Sequence, residues 1–250
     1  MTKVRPTMRT VGVDLASQPT KTGTCVVEWS TGGARVLHLA TEGSDEAILE
    51  LYRKANVIGI DMPFGWPEPF VDFISGKPGM EKKSWSSQWK NKLRFRCTDF
   101  AVRELAGFWP LSVSSDRIAI PAMRCRGLLA QMGVTDKSGD GQVFEVYPAA
   151  ALRRWELDHR KYKGKKGKKI LGRLVDDLLS LCPWLEVGSA ARKMLAENDD
   201  AFDALVCALV ARAAALGQTV RPNRKDLDLA RNEGWIHLPV EGDCLEYWAP

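Results

Sequence analysis

The chain has 250 residues, 45% of them hydrophobic and 27% charged, with 36 Lys and Arg against 31 Asp and Glu for a formal net charge of +5. That length predicts one globular domain that buries its own core without disulfide staples. No apolar run nears the ~20 residues that cross a bilayer, and the basic opening Met1–Arg9 leads into a strand-like run rather than a signal-peptide core. Six scattered cysteines with no C-x-x-C spacing argue against zinc ribbons and thioredoxin-like chemistry. Reduced thiols, no membrane partner and a cytoplasmic location are therefore expected.

In chain order, 10–15 is a short apolar strand ending in a carboxylate, Asp14. The β-formers of 23–29 and the alternating 34–40 follow through short turns, which predicts an antiparallel meander. Ser44 is placed to cap a helix over 45–54, acidic at its start and basic at its end. Asn56-Val-Ile-Gly-Ile-Asp61 is a buried-type strand that again ends in Asp and is cut off by Pro63. The stretch 63–96 is dense in Pro, Gly, Trp, Lys and Ser, and carries no regular pattern. Helices are predicted from Thr98 to Gly107 and from Asp116 to Met132, with Pro121 near the first turn of the second. Gln142–Tyr147 is a fifth strand, and Pro148 opens a helix to Trp155. A Lys-Gly loop over 161–169 precedes a helix to about Leu181, and an Ala-rich helix runs from Asp200 to Gly217. Trp235–Trp248 is a candidate extra strand.

This order predicts an α/β fold with a mixed five-stranded sheet, three antiparallel strands then two parallel strands, flanked by helices. The whole chain, 1–250, reads as one domain with an inserted Trp/Lys/Arg-rich segment at about 63–97 and a short C-terminal extension at about 218–250. If the first strand pairs with the fourth, Asp14 and Asp61 lie side by side at strand carboxyl ends, where open α/β sheets place their ligands.

Two neighbouring carboxylates repel unless a divalent cation lies between them, and an all-oxygen ligand set selects Mg²⁺ or Mn²⁺. Asp200 and Asp203, at i and i+3 on the final long helix, are candidate third and fourth ligands. Glu145, on the fifth strand, is a candidate accessory ligand or water-positioning group. Two metals about 4 Å apart, held this way, would activate a water against a phosphodiester. The competing structural readings make Asp14 a turn cap, Asp200 an N-cap and Glu145 the partner of an arginine. Asp199 is an alternative to Asp200, since it lies one turn from Asp203.

Taken together, Val11-Gly-Val-Asp14, Ile58-Gly-Ile-Asp61-Met-Pro63, Arg94-Phe-Arg-Cys-Thr-Asp99, Phe144-Glu-Val-Tyr-Pro148 and Asp199-Asp-Ala-Phe-Asp-Ala204 resemble the DUF429 family of predicted RNase H-like nucleases. The likeness spans roughly Val11 to Gly217, and the last motif also looks like the D-x-x-D-A helix of RuvC-type resolvases. It implies an RNase H-like fold, with Asp14 and Asp61 at the strand positions and Asp200 and Asp203 at the helix positions.

The positive charge is concentrated. Seven basic residues against Asp99 lie between Lys82 and Arg103, and ten against Glu156 and Asp158 between Arg153 and Arg173. Trp85 and Trp89 are interleaved with the first group, the pattern by which single strands are held through stacking and phosphate contact. Arg94 and Arg96 are the preferred phosphate clamps, since a planar guanidinium fork matches phosphate oxygens; Arg124 and Arg126 are weaker candidates. Lys165 and Lys166, in the Lys-Gly loop, would add salt-sensitive affinity for nucleic acid. Buried aromatics and solvated lysines explain the same residues without a ligand. No catalytic role is expected for His38, His159 or His237.

The leading expectation is thus a Mg²⁺- or Mn²⁺-dependent nuclease with nucleic acid as its partner. The alternatives are a nucleotide-binding phosphotransferase of the same superfamily, and a non-catalytic nucleic-acid-binding module.

Overall fold

The computed structural model describes residues 7–80, 82–139 and 141–241. Its strands are β1 (Met8–Asp14), β2 (Gly23–Ser30), β3 (Gly33–Ala40), β4 (Val57–Asp61), β5 (Val143–Val146), β6 (Leu185–Glu186) and β7 (Ile236–His237). They form one mixed sheet in the order β6-β3-β2-β1-β4-β5-β7. The predicted meander and the two parallel strands are present: β1 pairs antiparallel to β2 and parallel to β4, and β5 is parallel to β4. The sheet has seven strands rather than five, because two-residue β6 and β7 extend its edges in parallel with β3 and β5. Strands that short carry too little pattern to be read from sequence. β7 falls within the candidate strand 235–248, of which 242–248 lie outside the described residues, Cys244 among them.

The helices are α1 (Asp45–Lys54), α2 (Glu68–Ile74), α3 (Ser87–Arg94), α4 (Cys97–Ala106), α5 (Ala119–Gln131), α6 (Pro148–Arg154), α7 (Lys168–Leu181), α8 (Ser189–Glu197), α9 (Asp199–Ala215) and α10 (Leu227–Glu233). Ser44 caps α1 as expected, its side chain accepting from the Ala47 amide. The segment 63–96 is not structureless; it holds α2 and α3. Helix α4 begins at Cys97, with Arg96 rather than Thr98 at its N-cap. No described helix is long and apolar enough to cross a membrane, and the described cysteines are all free thiols.

The central strands are apolar on both faces, as parallel strands covered on both sides must be. One face carries Val11, Val13, Ile58 and Ile60 against α1 and α5. The other is covered by α9, which is buried along nearly its whole length. This helix lies unusually close to the sheet. A Cβ on Gly12 would fall 1.9 Å from the Ala204 carbonyl oxygen, and one on Gly59 would fall 2.6 Å from that of Cys207. Gly12 and Gly59 are register partners, so the two Gly-x-Asp texts create a two-strand groove into which α9 settles.

Candidate metal centre

Side chains alternate faces along a strand, so Asp14 shares a face with Gly12 and Asp61 with Gly59. Both carboxylates therefore point to the side that α9 covers, and they are direct register partners. Asp203, in the second turn of α9, meets them there. One carboxylate oxygen from each of Asp14, Asp61 and Asp203 lies within 4.8 Å of the other two. Asp203 is fully buried, while Asp14 and Asp61 are half-buried.

Electrostatics at this cluster are strained toward neutralisation. Burial raises the Asp14 carboxyl well above its ordinary range; Asp203, Asp61 and Asp200 add to the rise and Lys163 opposes it. Burial likewise pushes Asp61 up to about 7, with Lys163 opposing and Asp203 and Glu145 adding. Asp203 is also raised by burial, against the pull of Lys163 and a hydrogen bond from Tyr162. Three acids driven upward together demand protons or a cation.

Two residues complete the cluster from the loop before α7. The Tyr162 hydroxyl donates to Asp203 Oδ1 at 2.8 Å, and Lys163 Nζ lies 2.5 Å from Asp203 Oδ2. The Tyr162 ring is buried, packing edge-on against Phe202 at 5.9 Å. Gly167 permits the loop's tight return, since a Cβ there would meet the Tyr162 carbonyl at 2.4 Å. Sequence reading missed both residues. Lys163 is one of many lysines in a run that looks solvated throughout, and only its spacing from Tyr162, which anchors in the core, distinguishes it.

The other predicted ligands fall elsewhere. Asp200 is half-buried beside the cluster, and its carboxyl is raised by burial and by Asp199, but it is not one of the three converging acids. It is not the N-cap either, because Asn198 accepts from the Ala201 amide. Asp199 instead accepts from the Gly164 amide at 3.2 Å and so holds the Tyr162–Lys163 loop. Glu145 is not among the three converging acids. Its register partner is Ile60, so it projects from the face opposite to Asp61.

Glu145 and Arg96 correct each other's expected roles. Arg96 is 1% exposed. Its guanidinium donates to Asp99 Oδ1 and Oδ2, to Glu145 Oε2 and to the Glu233 carbonyl, with Nη2 also 2.8 Å from Glu145 Oε1. Four hydrogen bonds and the second Glu145 contact commit the guanidinium to protein oxygens rather than to a phosphate. Arg96 is a core tie, and Glu145, which also accepts from the Phe64 amide, is its counter-ion.

The basic and aromatic candidates divide similarly. Arg94 is exposed, stacks 4.9 Å from the Phe95 ring centroid and donates to Ser115. Trp89 is buried against Phe73, whereas Trp85 is 68% exposed. Lys165 and Lys166 are exposed on the loop beyond Lys163. Arg124 is consumed by Asp45, Thr22 and the Ala16 and Gly43 carbonyls. A cluster absent from the predicted set joins Arg94: Phe95 stacks on Trp109 at 4.2 Å, Phe100 meets Trp109 edge-on, and Arg103 lies 6.0 Å from the Trp109 ring.

A cavity of about 510 Å³ opens beside the carboxylates. Asp14, Asp61 and Lys163 line it on one side, and Leu111, Ile118 and Pro121 on another.

The family described as Protein of unknown function (DUF429) matches residues 12–226, and the chain belongs to that family. The match takes in both Gly-x-Asp strands, the Tyr162–Lys163 loop and α9. Searches of curated proteins and of solved structures return no match.

Proposed function

We propose that this protein is a divalent-metal-dependent phosphodiesterase acting on nucleic acid, built on an RNase H-like fold. The observation that carries the reading is the convergence of Asp14, Asp61 and Asp203, one oxygen of each within 4.8 Å of the others, on adjacent parallel strands and the helix that crosses them. The β1-to-β5 order with its covering helix supports the fold assignment.

The residues fit a hard divalent cation. The donors are all carboxylate oxygens, the set that suits Mg²⁺ and Mn²⁺. Asp203 Oδ2 is buried with no oriented hydrogen bond and only the Lys163 ammonium beside it. Asp14, Asp61 and Asp203 would hold the ion, with half-buried Asp200 adding negative charge beside them. A cation bound there supplies Lewis-acid activation of the phosphoryl group and of the attacking water.

The chain's own groups do the rest. Tyr162 fixes the Asp203 carboxylate by its hydroxyl. Lys163 is half-exposed and offers a mobile cation to a substrate phosphate. The exposed Trp109, Phe100, Arg94 and Arg103 cluster provides stacking faces and positive charge for single-stranded nucleic acid.

The test is a cleavage panel of single-stranded and duplex DNA and RNA, an RNA–DNA hybrid and a four-way junction, each with Mg²⁺, Mn²⁺ or EDTA. Metal-dependent cutting that disappears in Asp14→Asn and Asp203→Asn supports the reading. A folded protein that cuts none of them contradicts it.

A further inference from the structure

The cavity beside the carboxylates is larger and more apolar than a phosphate needs. Its approximately 510 Å³ fall within the ~300–1,000 Å³ typical of pockets that enclose one small organic ligand. Its walls draw on several elements, among them Leu111 and Pro121 from the segment entering α5, Tyr147 and Ala149 from the start of α6, and His159 and Tyr162 from the loop before α7; the Arg96–Glu145 pair closes its floor. The His159 ring is stacked on Phe108 at 5.3 Å, and Phe108 also meets Tyr147 edge-on, so the aromatic part of the wall is braced from behind. Lys161, which also lines the cavity, has φ +60, a left-handed conformation that a non-glycine residue adopts at a cost. That turn places Tyr162 inward and Lys163 at the acids.

We infer that this cavity is a nucleoside pocket that takes the terminal nucleotide of a single strand, so that Asp14, Asp61 and Asp203 act on the phosphodiester joining that nucleotide to the next. This inference rests on the phosphodiesterase reading and gives it a substrate class. An apolar pocket with braced aromatic edges suits a base and sugar, whereas an extended duplex offers no single group of that size to insert. Asp14 and Asp61 line the same cavity as the apolar wall, so the scissile phosphate and its nucleoside are held together. Trp109 and Phe100 are 37% and 43% exposed; Trp109 leads directly into Pro110 and Leu111 at the cavity. They give the remaining strand a stacking surface outside it. Water adds across the terminal phosphodiester; the P–O bond to the neighbouring sugar breaks, and a nucleotide leaves with a free hydroxyl on the shortened strand.

The experiment compares linear and covalently circular forms of the same single-stranded DNA and RNA, with Mn²⁺, on the wild-type protein, Ala149→Trp and Leu111→Glu. Ala149→Trp fills the pocket; Leu111, half-exposed at its edge, is a surface position where a charge is tolerated and opposes the phosphate. The expected result is stepwise shortening of linear strands with release of mononucleotides, intact circles, and loss of about tenfold or more in both variants while Mn²⁺ binding is retained. Circles cut as fast as linear strands, or variants as active as wild type, overturn the pocket assignment but leave the phosphodiesterase reading standing. Cutting of neither form counts against the phosphodiesterase reading instead, and the pocket is then judged by titrating nucleoside monophosphates into the Ca²⁺-supplemented protein. Binding that Ala149→Trp abolishes upholds the pocket; no binding of any of them overturns it.

Discussion

Arg96 and Glu145 form a buried, two-pronged ion pair, Nη1 to Oε2 at 2.9 Å and Nη2 to Oε1 at 2.8 Å, that ties the start of α4 to strand β5. Asp99 grips the same guanidinium from the other side, and Glu145 also receives the Phe64 amide just beyond Asp61. The pair therefore positions the backbone leaving β4 without touching the acid cluster.

Removing one partner of such a pair strands a buried charge. Arg96→Ala is expected to destabilise the fold by about 3–5 kcal/mol, measured as a fall in urea midpoint. Arg96→Lys restores little of this, since an ammonium cannot reproduce five directed donors. Unchanged stability with weakened nucleic-acid binding would instead make Arg96 a phosphate contact.

The Gly-x-Asp repeat carries a second prediction. Gly12→Ala forces a methyl group into the backbone of α9 at Ala204, next to Asp203. It is expected to cost about 2 kcal/mol or more and to weaken Mn²⁺ binding, because the helix that bears Asp203 must retreat. Calorimetric titration and thermal melting check both effects. Alanine at exposed Gly127 within α5, where nothing lies within 4 Å of a Cβ, is the control: it leaves Mn²⁺ binding unchanged and raises stability slightly, as Gly→Ala inside a helix does.

The pairing of Asp14 with Asp61 was more legible in the sequence than the rest of the site. Matching Gly-x-Asp texts on two apolar strands suffice to pair Asp14 with Asp61, because register and side-chain alternation then fix their common face. Asp203 follows from helical spacing. Of the two roles open to Glu145, the structure shows the arginine partner; sequence alone could not choose, because a four-residue strand does not announce its register. Arg96 looked like a surface cation because the groups that bury it, at positions 99, 145 and 233, are mostly distant in sequence. Trp85 and Trp89 drew attention by their interleaving with lysines, yet Trp109, in an unremarkable loop, is the ring that joins Phe95 and Phe100. β6 and β7 are too short to show a period at all.

The raised carboxyls give a pH signature. Asp61 titrates at about 7 in the folded chain and near the ordinary carboxylate value when unfolded, so the folded state holds the extra proton between those limits. Its contribution to stability is present below about pH 4 and is lost as pH rises through about 7. Asp14 and Asp203 are shifted in the same direction. Metal-free protein should therefore lose stability between pH 5 and 8, and saturating Mg²⁺ should reverse the loss. Mn²⁺ titrations in buffers of differing ionisation enthalpy should show proton release at pH 6 that shrinks by pH 8. Binding with no proton release at pH 6 would contradict the shifted acids.

Lys163 competes with a cation for Asp203. Lys163→Ala should tighten Mn²⁺ binding by about two- to fivefold, the scale of a partly solvated ion pair, yet slow hydrolysis because the phosphate loses its ammonium. Affinity and turnover moving in opposite directions separates this role from a purely structural one, which would lower both.

The claim that Asp14, Asp61 and Asp203 form a cation site is tested most directly by the anomalous scattering of Mn²⁺ soaked into crystals of the wild-type protein. A peak is expected among the three carboxylates, with Lys163 displaced from Asp203 Oδ2 and no peak in Asp14→Asn crystals. Absence of a peak at saturating Mn²⁺, with Lys163 still against Asp203, would contradict it.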